Sequence, residues 1–317
     1  MLVHVISTLF PVFSVLLLGF ILVRTGFMSS AFVEDMNNLI YWVGLPAFII
    51  GRLGRATGVP DAVLPLVSVF AISTVVFVIV CWLGLLLLRF PVQGRGTFLQ
   101  AVYRSNLAFV GIPILIYALR GLPQEEIDSV TRQAVFLFAP TMVLYNLIAA
   151  VVFPLPVDAA AGSFPRLRST VKGFGRNPLL IASVAGVVLV LVPWKLPDAV
   201  LDSFDYLGTF AAPAAVLGVG GAMATTPLGS QWRAPLAAAL LKIAGLPLLT
   251  ALVAMPFDLG RRELLILLVF STAPCAAGGY VIARKMGGDG RLAASSIFIS
   301  TVLSVISLSA VIAWFIG

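Results

Sequence analysis

Leu45-Pro46-Ala47-Phe48-Ile49-Ile50-Gly51-Arg52-Leu53-Gly54 is written a second time 167 positions later, as Ala212-Pro213-Ala214-Ala215-Val216-Leu217-Gly218-Val219-Gly220-Gly221. The proline, the following alanine and both spaced glycines keep their register. The same offset carries Pro11 and Gly19 onto Pro178 and Gly186, and Gly111 onto Gly278. An offset that holds through separate apolar segments means one structural unit duplicated within the chain.

Composition fixes the medium in which that unit folds. Of the 317 residues, 60% are hydrophobic and 10% charged, whereas a soluble domain is about a quarter charged. The charges cluster between apolar stretches of roughly 20 residues, the length that crosses about 30 Å of hydrocarbon. Without water in that layer, each stretch has to be a helix that satisfies its own backbone. The expected fold class is an all-α membrane protein with ten transmembrane helices. The spans lie near residues 2–23, 36–54, 62–88, 97–119, 131–153, 178–194, 204–224, 234–255, 263–283 and 292–316.

Five spans per copy is an odd number, so the second copy enters the membrane from the opposite side and the repeats are inverted. Residues 1–155 form repeat 1, 156–177 a linker, and 178–317 repeat 2. Eleven Lys and Arg fall in loops after odd-numbered spans and seven in loops after even ones. The positive-inside rule therefore makes the odd loops cytoplasmic and places both termini outside. The linker carries the basic run 166–176, either a short helix on the inner surface or a solvated connection. The net charge of +7 fits loops facing anionic lipid, and no basic stripe with interleaved aromatics suggests nucleic acid. Span 1 lacks a positive leader and a small-residue cleavage site, so it is expected to be retained. Cys81 and Cys275 both sit in apolar spans and form no disulfide framework.

Span 4 reads Arg104-Ser105-Asn106-Leu107-Ala108-Phe109-Val110-Gly111-Ile112-Pro113, and span 9 reads Ser271-Thr272-Ala273-Pro274-Cys275-Ala276-Ala277-Gly278-Gly279-Tyr280. Proline removes a backbone donor and crowds the preceding turn, so both helices are expected to break, at Gly111–Pro113 and at Pro274–Gly278. Corresponding broken helices in inverted halves point to a substrate site near the midplane. Open amide ends of half-helices favour anions there, and freed carbonyls favour cations. Candidate ligand groups are Ser105, Asn106, Thr272 and Cys275 beside the breaks. Arg104 either faces the cavity or snorkels to the inner interface. Lys242, well inside span 8, is either a cavity cation or half of a buried pair. Tyr145 and Asn146 in span 5, with Ser300, Thr301 and Ser304 in span 10, read as packing faces.

No acidic residue sits mid-span, so a proton relay of the usual Asp or Glu type is absent. His4 is alone. There is no His-Glu-x-x-His, Gly-x-Ser-x-Gly, metal-ligand cluster or Walker loop. Neither enzyme activity nor a cofactor is expected. A channel would need a continuous polar lining, which the spans do not offer.

The stretch Asn106-Leu107-Ala108-Phe109-Val110-Gly111-Ile112-Pro113-Ile114-Leu115 resembles the crossover segment of the auxin efflux carrier family, which includes plant auxin carriers and bacterial malonate and malate transporters. Phe10-Pro11-Val12-Phe13 with Leu45-Pro46-Ala47-Phe48 is similar to its first two spans. Ala273-Pro274-Cys275, Ala283 to Asp289, and Ser300-Thr301-Val302-Leu303-Ser304 are similar to its last two. The resemblance implies a fold related to bile-acid sodium symporters and an elevator-type transporter in a cytoplasmic membrane. Spans 1, 2, 6 and 7 would form a scaffold that dimerises, and spans 3–5 with 8–10 a moving domain. It further implies a small organic anion beside Asn106, Gly111, Pro113 and Pro274, driven by the proton gradient or membrane potential, with sodium coupling as the alternative. The sequence departs from the family at Gly278-Gly279, where some relatives carry a second proline. The long loop of plant carriers is missing.

Overall fold

Residues 2–56, 58–153, 178–192, 196–225 and 232–316 are described by the computed structural model. Among them every element is helical apart from one isolated bridge. The helices are α1 (Leu2–Arg24), α2 (Ser30–Leu39), α3 (Leu45–Gly54), α4 (Val63–Leu87), α5 (Val92–Tyr103), α6 (Ile112–Ala118) and α7 (Gln124–Val152). They continue as α8 (Pro178–Leu191), α9 (Asp198–Thr225), α10 (Arg233–Leu240), α11 (Leu246–Ala254), α12 (Arg261–Thr272), α13 (Gly278–Lys285) and α14 (Gly290–Ile316). Five helical stretches, Val63–Leu87, Gln124–Val152, Asp198–Thr225, Arg233–Ala254 and Gly290–Phe315, are long and apolar enough to cross a bilayer. Shorter apolar helices accompany them. The basic run 166–176 and Lys195 lie outside the described residues.

Why these helices need lipid is clearest in α4, which contains no charge. Leu66, Val69, Phe70 and Phe77 are buried on one face while Ile72, Val76, Ile79 and Leu83 are exposed on the other. Apolar on both sides, α4 has no aqueous face to offer. Its buried hydroxyls bond within the helix, Ser73 to the Val69 carbonyl at 2.6 Å and Thr74 to Phe70 at 2.7 Å.

Three helices share one device for admitting a proline. Five-residue π turns occupy Ile40–Gly44, Leu107–Gly111 and Leu241–Gly245. Each ends in glycine and is followed by Leu-Pro or Ile-Pro: Gly44-Leu45-Pro46, Gly111-Ile112-Pro113 and Gly245-Leu246-Pro247. In all three the residue before the proline donates its N–H five residues back, Leu45 to Ile40, Ile112 to Leu107 and Leu246 to Leu241. The wider turn keeps the pyrrolidine clear of the preceding carbonyls, and each proline enters the next helix within its first two positions, where an N–H is not missed.

Two groups of helices pack closely within themselves, and they also meet where α7 touches α3 and α8 and where α14 touches α1. Helix α1 lies along α9, and α3 lies against both α8 and α9. Elsewhere α4 packs on α5, α7 and α11, and α14 on α5, α10 and α12. The duplicated glycines make the contacts of the first group. A Cβ on Gly19 would strike the Leu217 carbonyl of α9, and one on Gly186 would strike Leu53 of α3. Likewise Gly51 abuts Asp205, Gly218 abuts Asn37, Gly54 abuts Leu201 and Gly221 abuts Val33. At Gly19 the neighbour is backbone, and at the others a packed side chain fills the space a Cβ would need. Gly220, facing the Leu16 carbonyl of α1, is the tightest of them. Gly220→Ala is expected to cost about 3 kcal/mol, the upper end of overpacking. The loss should appear as a lower melting temperature and folded yield in detergent.

Ion pairs close the helix ends. Arg55, just after α3, reaches Asp202 at 2.6 Å and Asp205 at 2.8 Å in the first turns of α9. Arg52 reaches Asp128 in α7 at 2.7 Å, and Arg262 reaches Glu126 at 2.5 Å. Half-exposed pairs of this kind contribute only about 0–1 kcal/mol each, and their use here is to hold register.

Candidate functional site

Two interrupted helices meet at their interruptions. Chain leaves α5 at Tyr103, runs extended through Arg104–Asn106 and re-enters helix at Leu107. It leaves α12 at Thr272, runs through Ala273–Ala277 and re-enters at Gly278. The two extended pieces pair antiparallel at Ser105 and Cys275. Asn106 N–H donates to the Pro274 carbonyl at 2.7 Å, and Ala276 N–H donates to the Arg104 carbonyl at 2.8 Å.

Neighbouring helices take up the remaining donors in the same paired way. Ser105 N–H donates to the Tyr145 hydroxyl of α7 at 3.3 Å, and Cys275 N–H donates to the Ser300 hydroxyl of α14 at 3.0 Å. Tyr145 is fixed in turn, its carbonyl accepting from the Tyr103 hydroxyl at 3.0 Å. Two carbonyls next to the breaks are taken up as well. Ala101 O accepts from the Cys275 thiol at 3.1 Å, and Ser271 O accepts from the Lys242 ammonium. The polar faces of spans 5 and 10, expected to pack helix against helix, are thus what holds the crossing. Ser300→Ala leaves a buried N–H without a partner, expected to cost about 1–3 kcal/mol. A drop in apparent melting temperature, absent for an exposed control such as Ser203→Ala, would check it.

The predicted site residues fall into three sets. Arg104, Ser105, Asn106, Pro274 and Cys275 build the crossing, with Thr272 at the end of α12; all six are buried. Among their side chains the Asn106 Nδ2, Ser105 Oγ and Thr272 Oγ1 have no hydrogen-bond partner among the described residues. Buried polar groups are normally paired, so this cluster is open to a ligand or water. Gly111 and Pro113 lie beyond the break instead of forming it. Gly111 N–H caps the Asn106 carbonyl at 3.0 Å and its Cα faces the Phe270 ring, while Pro113 opens α6. The expected break at Gly111–Pro113 is therefore corrected to Arg104–Asn106, because the π turn absorbs the proline. Gly278 is exposed at the start of α13 with open space around its Cα.

Arg104 does not snorkel. It is 9% exposed, donates to Asn146 Oδ1 at 3.2 Å and lies 5.6 Å from the centre of the Tyr145 ring. Lys242 is fully buried and set against the open carbonyl end of α12, a favourable place for a cation.

One space opens against α6 and a smaller one against α5 at the crossing. On the α6 side a cavity of about 330 Å³ is bounded by Pro11, Arg52, Pro113, Tyr117, Arg120 and Asp205, among others. On the α5 side a water-sized pocket of about 10 Å³ is lined by Gln100, Arg104, Ala276 and Gly279. The Gln100 Nε2 has no partner among the described residues. Sequence reasoning missed Gln100 and Arg120, since neither stands at a Gly/Pro signal.

A family model described as "Membrane transport protein" matches residues 4–154 and 166–312. A "Putative malonate transporter" of Rhizobium meliloti (strain 1021) is 25% identical over 94% of this chain and 92% of its own. An "Uncharacterized transporter MJ1031" of Methanocaldococcus jannaschii is 24% identical over 93% and 96%. An "Uncharacterized transporter YfdV" of Escherichia coli (strain K12) is 24% identical over 97% and 96%.

Proposed function

The chain belongs to the membrane transport protein family, the auxin efflux carrier family that its crossover residues resemble, and from that premise we propose that it is a secondary active transporter of a small organic anion. The observation that carries the reading is the antiparallel crossing of two interrupted helices with the Asn106 amide left unpaired beside it. A buried donor cluster at the meeting of half-helices suits a carboxylate oxygen.

The proposed architecture is ten spans in two inverted five-helix repeats. The duplicated proline and glycine register supports it, together with the packing of Gly51 and Gly54 on the second half and of Gly218 and Gly221 on the first. Helices α1–α3, α8 and α9 form the scaffold and a dimer contact, and the remainder moves as an elevator carrying Asn106, Ser105, Thr272 and Cys275. The protein sits in the cytoplasmic membrane with both termini outside. The substrate is a malonate- or malate-like carboxylate or an auxin-like weak acid, and the first of these is favoured by the name of the Rhizobium relative.

Lys242 favours the proton gradient or membrane potential over sodium. Freed carbonyls are where a coupling cation would bind. Here Ser271 O is taken by Lys242 and Ala101 O by the Cys275 thiol. Uptake of labelled malonate, malate and indole-3-acetate into proteoliposomes, with imposed proton, potential and sodium gradients, tests the proposal. Uptake of one carboxylate, raised by proton or potential and indifferent to sodium, is expected. Strict sodium dependence would overturn the coupling, and silence across the panel the substrate class.

A further inference from the structure

We propose that the cavity on the α6 side of the crossing is a separate anion-loading site, in which Arg120 takes a carboxylate before it reaches Asn106; this rests on the transporter reading above. The cavity wall carries three charged side chains, Arg52, Arg120 and Asp205. Two of them are already answered. Arg52 is paired with Asp128 at 2.7 Å, and Asp205 with Arg55 at 2.8 Å. Arg120 has no carboxylate within ion-pair distance among the described residues, so the cavity presents one unmatched positive charge. Its guanidinium lies 3.9 Å from the centre of the Tyr117 ring one turn back in α6. That stacking holds the planar fork in place, so little side-chain freedom is lost when a carboxylate docks.

The rest of the wall selects the ligand's body. Pro11, Val15, Phe48, Ile116 and Val216 are apolar, and about 330 Å³ lies at the lower end of small-molecule sites. The fitting ligand is a carboxylate on a short carbon skeleton. The cavity wall includes Pro113, seven residues past Asn106 on the same interrupted segment, and Arg120 stands roughly 10 Å further along that segment, so an anion held by Arg120 lies at the far end of the helix that leads to the crossing. Its walls come from both helix groups, α1, α3 and α9 on one side and α6 on the other. Occupancy would therefore be felt by any movement of one group against the other.

The test uses the full chain in phosphatidylcholine liposomes with malonate as the probe. Arg120→Gln is expected to raise the KM for uptake about tenfold or more, the value of a lost charge-assisted contact, with kcat within about twofold. Arg120→Lys should recover part of the loss, because charge returns without the fork. Added salt should raise the wild-type KM but not that of Arg120→Gln. A second readout needs no transport. Thr209, exposed on the cavity wall, is changed to cysteine and labelled with a membrane-impermeant sulfonate thiol reagent, and malonate should slow the labelling in both wild-type and Asn106→Ala backgrounds. Absence of malonate uptake with labelling still protected would defeat the transport reading and leave the cavity site standing. An unchanged KM in Arg120→Gln with unprotected labelling would overturn the cavity site alone. If adding phosphatidylglycerol changes the KM of wild type and not of Arg120→Gln, Arg120 serves a lipid headgroup and the proposal fails.

Discussion

An Asn106→Ala protein is expected to insert, purify and melt like the wild type while taking up no labelled carboxylate above background. The backbone of Asn106 does the structural work, its N–H bonding Pro274 O and its carbonyl receiving Val110 and Gly111. Alanine keeps all three bonds. The Nδ2 that is lost has no partner to abandon, so removal forfeits no native hydrogen bond. What disappears is an unpaired amide donor within the crossing itself, and a substrate oxygen desolvated there without it would lose about 1–3 kcal/mol. Under the proposed elevator movement that contact is kept throughout, so the effect on rate should exceed the effect on binding. Asn106→Asp should be at least as damaging, since a carboxylate would confront the anion with like charge. Normal uptake by Asn106→Ala would remove the residue from the site.

Lys242→Met should lower uptake about tenfold or more without lowering the melting temperature. The ammonium is fully buried and bonded to the carbonyl end of α12. Holding an ion there costs several kcal/mol of desolvation, whereas the carbonyl left behind by methionine costs about 1–3 kcal/mol. Stability is therefore maintained or raised. Transport suffers because the Lys242 amine, bonded to Ser271 O four residues before Cys275, is no longer there to attract the anion to the crossing. Uptake and a thermal melt on the same preparation check both halves. Unchanged uptake would make Lys242 a packing residue.

Much of the fold could be read from the chain before any coordinates. Apolar stretches near 62–88 and 292–316 are helices at Val63–Leu87 and Gly290–Ile316, because in lipid the backbone has no alternative. The glycines at 51, 54, 218 and 221 were legible as close contacts for the same reason. The position of the first break was not. Gly111 and Pro113 are conspicuous, yet the π turn at Leu107–Gly111 accommodates the proline, and the chain opens instead at Arg104–Asn106. A threefold Gly-x-Pro spacing, at Gly44, Gly111 and Gly245, was the available signal for that device.

Partners were harder to foresee than positions. Arg104 is held by Asn146, 42 residues away in sequence, and by the neighbouring Tyr145 ring. Nothing in local spacing says which face of α7 meets α5. Arg120 looked like an ordinary loop cation. Its distinction lies in having Tyr117 one turn behind it and no carboxylate opposite, which only the packing of α1, α3, α6 and α9 reveals.

The central claim is that this chain carries an anion across the membrane by exposing one site alternately to each side. The direct measurement is counterflow: labelled malonate entering proteoliposomes preloaded with unlabelled malonate, compared with empty ones, over a range of external concentrations. The account predicts saturable entry that preloading accelerates, because a loaded site returns faster than an empty one. Entry that rises linearly with concentration and ignores preloading, or malonate that binds and never crosses, would contradict it.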